Sequence, residues 1–317
     1  MVSRQSLPVF GRENPCLKKG QWQLTVAYRG LTSDKHYQGT QPAPQLDAGG
    51  PINRQKQLNL ELTRAATSRL DLSLSVPLHD NTFTIKRVPP GGRDLVDGIT
   101  RARGLGDVMA RGRYWLLDPH APARLNLGVT AGVKLPTGKA DVTDTIYGRV
   151  VPVDWSIQPG DRGLAFSLGS DAFWKVRRAT LFASGLYLFN PRDTTGTASF
   201  FGALQGRPPV PNSAADQYSV QLGAFLSVRS RWPLPSLSYR IEGVPINDVF
   251  GRSNGFRRPG NIQFIEPRLS LPVGRHLVSL GVPIKTHVNV KDSPVSVRRE
   301  DATVPDAMVL VSYTIGF

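Results

Sequence analysis

The sequence has a single cysteine, no long apolar run and few acidic residues. One cysteine in 317 residues, Cys16, excludes an intramolecular disulfide framework and a cysteine-rich metal site. We expect it to be a solitary thiol in an N-terminal tail, with pairing to another chain as the alternative. No stretch of about 18 apolar residues is present, so no transmembrane helix is predicted.

The first residues, MVSRQSLPVFGRENPCLKKG, also lack the apolar core of a secretory signal. Taken alone, this absence favours the cytoplasm. The pattern of the remaining chain favours a membrane instead. We therefore expect that a signal was removed or lies upstream of Met1.

Basic residues outnumber acidic ones by 39 to 24, which gives a formal charge of +15. An excess of this size is typical of proteins that bind nucleic acids. Here, however, Lys and Arg are spread along the chain without a basic helix, and pairs such as Lys86-Arg87 and Arg257-Arg258 fall in predicted loops. We predict solvated loop charge, with attraction to anionic lipid headgroups as the alternative, and no nucleic-acid partner.

Alternating apolar residues recur along the chain, and Gly and Pro are plentiful between them. The C-terminal segment AMVLVSYTIGF places Val309, Val311 and Tyr313 on one side of a strand, with polar or small residues on the other. Eleven further segments follow the same scheme, although both faces are apolar at residues 180–189. The predicted strands are residues 22–29, 58–63, 70–78, 107–116, 125–135, 164–175, 180–189, 218–228, 237–242, 262–273, 277–285 and 309–317.

The connections between these strands alternate between long and short. Long connections at one end and short turns at the other are typical of outer-membrane barrels, in which both termini are periplasmic. We therefore predict an all-β fold: a transmembrane up-and-down antiparallel β-barrel of about 12 strands over residues 20–317, after an N-terminal tail of residues 1–19. The long connections are predicted at residues 30–54, 80–104, 137–162, 190–216, 247–260 and 286–306.

The predicted faces follow from the absence of hydrogen-bond partners in lipid. The sheet must close on itself with hydrocarbon outside, so its polar face must line the interior. Inward charges of mixed sign have two interpretations: rings that select permeants, or a paired network that fills a narrow barrel. The lumen-lining candidates are Glu61, Asp71, Arg111, Arg113, Lys134, Asp171, Lys175, Arg240 and Glu242.

Aromatic residues fall near the predicted strand ends, where interfacial aromatics are found in membrane proteins. Phe317 ends the closing strand, and a terminal aromatic in this position looks like the insertion signal read by the outer-membrane assembly machinery. We therefore predict a location in the cell outer membrane, in contact with its lipids and with lipopolysaccharide. The aromatic residues concerned are Tyr28, Tyr114, Trp115, Trp174, Tyr218, Tyr239, Tyr313 and Phe317.

Three motifs add a family resemblance. GLGD at residues 104–107 opens a strand, NLGVTAGVKLPTGK occupies residues 126–139, and QPGDRGLAFSLGSDAFWKV occupies residues 158–176. With this spacing they resemble the MetA-pathway of phenol degradation family, over about residues 100–317. The resemblance implies a porin-like barrel of Gram-negative bacteria that transports small, hydrophobic or aromatic solutes.

Motifs for catalysis or metal binding are weak. GVKLPTGK resembles a phosphate-binding loop, but five residues rather than four separate its glycines, and Ala140 stands where Ser or Thr would bind Mg²⁺. Asp141, Asp144 and Asp154 share one predicted loop, where Ca²⁺ binding is the alternative to solvated carboxylates. The five histidines are scattered and no G-x-S-x-G motif occurs. We predict no cofactor, no metal site and no enzyme activity.

Three hypotheses for function follow. The leading one is a passive channel or transporter for small solutes. The second is a structural or interaction barrel with a plugged lumen, which binds lipopolysaccharide or a partner protein through its basic loops or its N-terminal tail. The third, a lipid-modifying enzyme, requires a serine or histidine cluster at the outer rim. The candidates for an inward constriction are the connection at residues 80–104, with Pro89–Gly92, and the tail.

Overall fold

The computed structural model describes residues 17–88, 93–120, 124–206, 210–226, 233–295 and 300–317. Twelve antiparallel strands form one closed barrel, which confirms the predicted fold class. The strands are β1 (Trp22–Gln38), β2 (Ile52–Ala65), β3 (Leu70–Arg87), β4 (Val96–Leu105 and Met109–Trp115), β5 (Leu125–Lys134), β6 (Ala165–Val176), β7 (Ala179–Phe189), β8 (Gln217–Leu226), β9 (Leu234–Val244), β10 (Gly260–Val273), β11 (His276–Gly281 and Ile284–Val290) and β12 (Ala302–Gly316).

Two of the strands are interrupted once. Both parts of β4 pair with β3, and both parts of β11 pair with β10. Cys16 and residues 89–92 lie outside the described residues. The predictions for the thiol, for most of the N-terminal tail and for a constriction that includes Pro89–Gly92 therefore stay predictions.

The barrel closes between its first and last strands, with Gln23 of β1 opposite Gly316 of β12. The Trp22 N–H donates to the Phe317 carbonyl at 2.8 Å, and the Phe317 N–H donates to the Trp22 carbonyl at 2.9 Å. Both strand ends therefore lie at the end of the barrel that carries the short turns. The Phe317 side chain is exposed there, at the periplasmic end of an outer-membrane barrel.

In the half of the barrel nearest the chain ends, the apolar face points outward. Leu72 and Leu74 of β3 are exposed, whereas Asp71 and Ser75, on either side of this pair, are buried. The described residues contain no helix of the length and apolar character that a membrane crossing requires. The exposed leucines form an apolar belt around the outside, as a wall in contact with lipid requires.

The polarity of the two faces is reversed at the other end of the same strands. Further along β3, Phe83 and Ile85 point inward and are buried, while Asp80, Thr82 and Lys86 take the outward positions. β10 shows the same reversal, which places apolar side chains inside at its extracellular end. The extracellular part of the barrel thus has the polarity of a water-soluble sheet, since water surrounds it.

This reversal corrects the predicted loops. Residues 30–54 and 80–104 are predicted as connections, but β1 continues to Gln38, β3 continues to Arg87 and β4 starts at Val96. The prediction is wrong at these positions because it applies one polarity rule along each strand. The strands extend beyond the membrane, where the apolar side chains change face.

Apolar side chains pack together inside the extracellular end in two clusters. One joins strands β3 and β4 to the connections above them, and the other joins β1, β10, β11 and β12. We call them the cap cores. The first consists of Phe83, Ile85, Ala102, Ile146, Val151, Val153, Ile157, Phe200 and Leu204. The second consists of Leu31, Ile262, Phe264, Val288, Val290, Ala302, Val304 and Met308.

One predicted interfacial aromatic points the other way. Trp115 is only 1% exposed and packs edge-on against Phe173 inside the barrel, with ring centroids 5.5 Å apart. The Arg113 guanidinium lies over its ring at 4.9 Å. The prediction is wrong for Trp115 because its neighbour Tyr114 holds the outward position, and successive side chains alternate between faces.

Candidate functional site inside the barrel

A first group of charged side chains lies on the inner wall between β2 and β6. Arg113 donates to Asp71 at 2.7 Å and lies 3.8 Å from Asp171. Arg111 forms an ion pair with Glu61. Because β3 separates β2 from β4, the pair between Glu61 and Arg111 reaches over one strand on the inside of the wall.

A second group lies where β1 faces β9 and β10. Arg240 lies 3.1 Å from Glu242 and 2.6 Å from Glu266, which also pairs with Arg268. Arg29 of β1 lies 3.5 Å from Glu242 of β9. Three strands separate β1 from β9 along the wall, so this last pair crosses the interior of the barrel.

Seven of the nine lumen-lining candidates therefore fall into two paired groups. Sequence reasoning did not single out Arg29, Glu266 and Arg268, which complete the second group. The sequence could have identified them, because each occupies a position on the polar face of a segment in which polar and apolar residues alternate. The charges are arranged as partners of one another, with three carboxylates and two guanidiniums in the first group and three guanidiniums and two carboxylates in the second.

Lys134 and Lys175 lie apart from both groups. Lys134 is fully buried at the extracellular end of β5, where it donates to Asp107 at 2.8 Å and pairs with Asp161. Lys175 is exposed near the periplasmic end of β6, with its ammonium 5.3 Å from the centroid of the Phe173 ring. Lys134 is one inward position from Gly132, which lies opposite Arg111, but its carboxylate partners are Asp107 and Asp161 and belong to neither group.

The surroundings of Lys134 bring together the three motifs that carry the family resemblance. Asp107 comes from GLGD, Lys134 and Gly138 from the second motif, and Gly160 and Asp161 from the third. The Gly138 N–H donates to Asp107 at 2.9 Å, and a Cβ on Gly160 would overlap the Gly138 carbonyl. We call this cluster the Lys134 anchor. It joins the two ends of the connection between β5 and β6.

That connection, residues 135–164, folds into the barrel, and we call it the inward loop. It contains two short paired strands, Thr143–Ile146 and Arg149–Pro152, and a 3₁₀ turn at Trp155–Ile157. The Asp154 carboxylate caps this turn by accepting from the Ser156 N–H at 2.9 Å. The turn is thereby presented to the opposite inner wall.

Hydrogen bonds fasten the turn to β2 and β3. Asn53 donates to the Ser156 hydroxyl at 2.6 Å, and Asn81 donates to the Ile157 carbonyl at 3.2 Å. The inward loop therefore crosses from β5 and β6 to the inner faces of β2 and β3. In the part of the chain that the structure describes, this loop occupies part of the lumen.

A cavity of about 370 Å³ lies beside the inward loop at the extracellular end. Its walls come from β1, β2, β3, the inward loop, the short helix Phe200–Leu204 and the segments that precede β10 and β12. We call it the outer cavity. Its size lies at the lower end of the range of about 300–1,000 Å³ found for small-molecule sites. Its aromatic lining consists of Phe83, Trp155, Phe200, Phe201 and Phe256.

Three of the ionisable side chains in this lining, Asp154, Arg258 and His36, have partners. Burial would raise the pKa of Asp154, but the Arg258 guanidinium 3.1 Å away and hydrogen bonds from Ser156 hold that pKa below its ordinary value. Burial would lower the pKa of Arg258, and Asp154 reverses the effect and raises it. His36 Nδ1 lies 2.8 Å from the Asp47 carboxylate. Glu300 and Asp301 also line the cavity, so its surface is shared between polar and aromatic groups. Phe201 and Phe256 are the lining aromatics that remain partly exposed to a bound molecule.

The three acids that raised the alternative of a calcium site have separate partners. Asp141 pairs with Arg162, Asp144 accepts from the Arg101 N–H at 2.8 Å, and Asp154 pairs with Arg258. Within the described ranges, no three His, Cys, Asp or Glu side chains come close enough together to hold a metal ion.

No protein-family model and no curated protein matches this sequence. The crystal structure of an outer membrane channel from Pseudomonas putida F1 aligns with 98% of this chain and 100% of that chain, with a TM-score of 0.66 and 12% identity. The crystal structure of the toluene transporter TbuX from Ralstonia pickettii aligns with 96% of this chain and 92% of that chain, with a TM-score of 0.45 and 10% identity. The first likeness and the closed twelve-stranded sheet establish the fold of an outer-membrane β-barrel, which belongs in the cell outer membrane.

Proposed function

We propose that the protein is a passive outer-membrane channel for small, uncharged hydrophobic or aromatic solutes, with the outer cavity as its entry site. The observation that carries the proposal is the aromatic lining of a cavity at the extracellular end of the barrel. Aromatic faces bind other aromatic rings through offset or edge-on contacts. The likeness in fold to an outer membrane channel and the resemblance to the phenol-degradation family support the same class of function.

The pairing of the inner charges supports an uncharged solute. An ion entering the lumen would have to separate existing pairs such as Arg240 with Glu266, whereas a neutral solute leaves them intact. No cofactor is required, since the solute gradient supplies the driving force. The lumen-lining candidates set the polarity of the path in this proposal, and the inward loop sets its width.

Uptake by whole cells tests the proposal. Cells that lack their own porins and express this protein should take up radiolabelled phenol several-fold faster than cells with an empty vector. The uptake rate of erythritol, a polar solute of similar size, should increase little. The double variant Phe201→Ala with Phe256→Ala, which truncates the two partly exposed lining aromatics, should lower the preference for phenol. Leu222→Ala, on the lipid-facing side of β8, is the matched control and should change nothing.

A second measurement separates a channel from a plugged barrel. In planar bilayers, replacing residues 141–159 of the inward loop with a short Gly-Ser linker should raise conductance several-fold, because the Lys134 anchor is kept while the crossing segment is removed. Conductance equal to that of the native chain, together with no phenol uptake, would overturn the channel proposal and favour a structural barrel.

A further inference from the structure

Four cations lie together on the outer surface of the barrel, on the extracellular parts of β2 and β4. All four are exposed and take outward positions. We call them the basic patch. It consists of Arg54, Lys56, Arg101 and Arg103.

Strand register brings these side chains together across β3. Thr82 lies opposite Arg54 on one side and opposite Arg101 on the other, and Asp80 lies likewise between the other two cations. Neighbouring strands are about 4.8 Å apart, so cations that flank β3 are about 10 Å apart, and those on one strand about 7 Å. The spacing allows one anionic headgroup to contact several of them.

The patch keeps a positive excess after its acids are counted. Arg103 pairs with Asp80 at 2.7 Å, and Asp144 accepts from the Arg101 backbone N–H. Among the described residues, no carboxylate pairs with the side chains of Arg54, Lys56 or Arg101. Three exposed cations are therefore available to an external anion.

The apolar belt ends directly below the patch. Leu58, Leu78 and Leu105 are exposed and lie opposite one another, one outward position nearer the periplasm than Lys56. This is the level at which hydrocarbon gives way to lipid headgroups on the extracellular side. A molecule that covers both surfaces must combine acyl chains with anionic groups.

We propose that the basic patch binds the phosphate groups of a phosphorylated lipid of the outer leaflet, with its acyl chains against the leucines below. Guanidinium groups bind phosphate oxygens in a bidentate manner, and basic clusters beside a hydrocarbon surface attract anionic lipid headgroups. The proposal differs from lipid binding by the basic loops, because the cations are on rigid strand faces. It does not depend on what passes through the lumen.

The test is lipid binding by the purified barrel in neutral detergent with EDTA, followed by native mass spectrometry and thermal unfolding. Diphosphorylated lipid A should remain bound as a discrete adduct and raise the unfolding temperature. The double variant Arg54→Gln with Arg101→Gln should weaken binding on the order of tenfold or more. Replacing both arginines with lysine should recover only part of the affinity, because an ammonium group keeps the charge but lacks the bidentate hydrogen bonds of a guanidinium.

Arg64→Gln with Arg69→Gln is the matched control. Arg64 is an exposed cation on the outward side of β2 at the periplasmic end, and Arg69 lies in the adjacent turn. This variant should bind like the native chain. Equal loss in the control, unchanged binding in the patch variant, equal binding of dephosphorylated lipid A, or equal stabilisation by inorganic phosphate would each overturn the proposal. Circular dichroism and heat-modified gel mobility confirm that each variant is folded.

Discussion

The two halves of β3 obey opposite rules, although they belong to one continuous strand. Near the periplasm, Leu72 and Leu74 point outward while Asp71 and Ser75 point inward. Near the cell surface, Phe83 points inward, and polar side chains take the outward positions. What changes between the halves is the solvent around the wall, from hydrocarbon to water, and with it the face on which apolar side chains are stable.

The membrane half and the extracellular half of the barrel also differ in what fills their interior. In the membrane half, ion pairs such as Arg113 with Asp71 and Arg240 with Glu266 occupy the interior. In the extracellular half, the cap cores and the inward loop fill it by hydrophobic packing, as in a soluble protein. The boundary between them is where the inward loop is fastened and where the outer cavity begins.

Substitution at that boundary should have the largest effect. Lys134→Met leaves Asp107 and Asp161 buried without their cation, which costs about 3–5 kcal/mol. The inward loop should then detach, so planar-bilayer conductance should rise together with a loss of stability in urea. Lys86→Met is the control, because that lysine is exposed on the outward side of β3, and it should leave both quantities nearly unchanged. If Lys134→Met has the conductance and the urea stability of the native chain, the anchor does not hold the loop.

Truncation of an apolar side chain should cost more in the extracellular half than in the membrane half. Phe83→Ala opens a space in a packed cap core and should lower the free energy of unfolding by about 3 kcal/mol. Leu72→Ala should cost about 1 kcal/mol, because lipid tails occupy the space. Urea unfolding in phospholipid vesicles measures both. Equal losses would contradict the distinction between a packed core and a lipid-facing surface.

Addition of a charge should show the reverse preference. Leu74→Arg places a cation against hydrocarbon and should cost about 2 kcal/mol or more. Thr82→Arg, four outward positions further along the same strand face, should be nearly neutral because water surrounds it. The difference in urea midpoints between the two variants checks this. If Leu74→Arg has the same urea midpoint as the native chain, position 74 does not face hydrocarbon and the membrane boundary lies nearer the periplasm.

Acid should loosen the extracellular half by a smaller amount. The pKa of Asp154 in the folded protein lies below its unfolded value, so its pairing with Arg258 stabilises the fold fully above the unfolded pKa of about 4 and is lost as the pH falls through the folded pKa. We expect unchanged stability from neutral pH to about pH 5, then a decrease that Asp154→Asn removes. Intrinsic fluorescence reports the release in a variant that keeps Trp155 and has the other four tryptophans replaced by Phe. A decrease that persists in Asp154→Asn would assign the effect to other carboxyls.

The fold could be predicted because alternation is a local property of the chain. A polar residue between two apolar ones, as in Leu72-Ser73-Leu74, indicates a strand with two unlike faces, and alternating connection lengths indicate an up-and-down barrel. The same rule located the inward charges, including Glu61 and Arg240. The rule failed at Phe83 because it assumes hydrocarbon outside the whole length of each strand, whereas water surrounds the extracellular half.

The sequence by itself determined the number of strands, their direction and, within the membrane half, most of the side chains that point into the barrel, since these depend on neighbours along one strand. Only the tertiary structure decided which charges pair, which loop enters the lumen and where the aromatic cavity forms. Lys134, Asp107 and Asp161 are far apart along the chain, and their pairing depends on how the strands around them are arranged in space. Contacts of this kind form because a buried charge must find a partner, and the closed sheet determines which partners lie within reach.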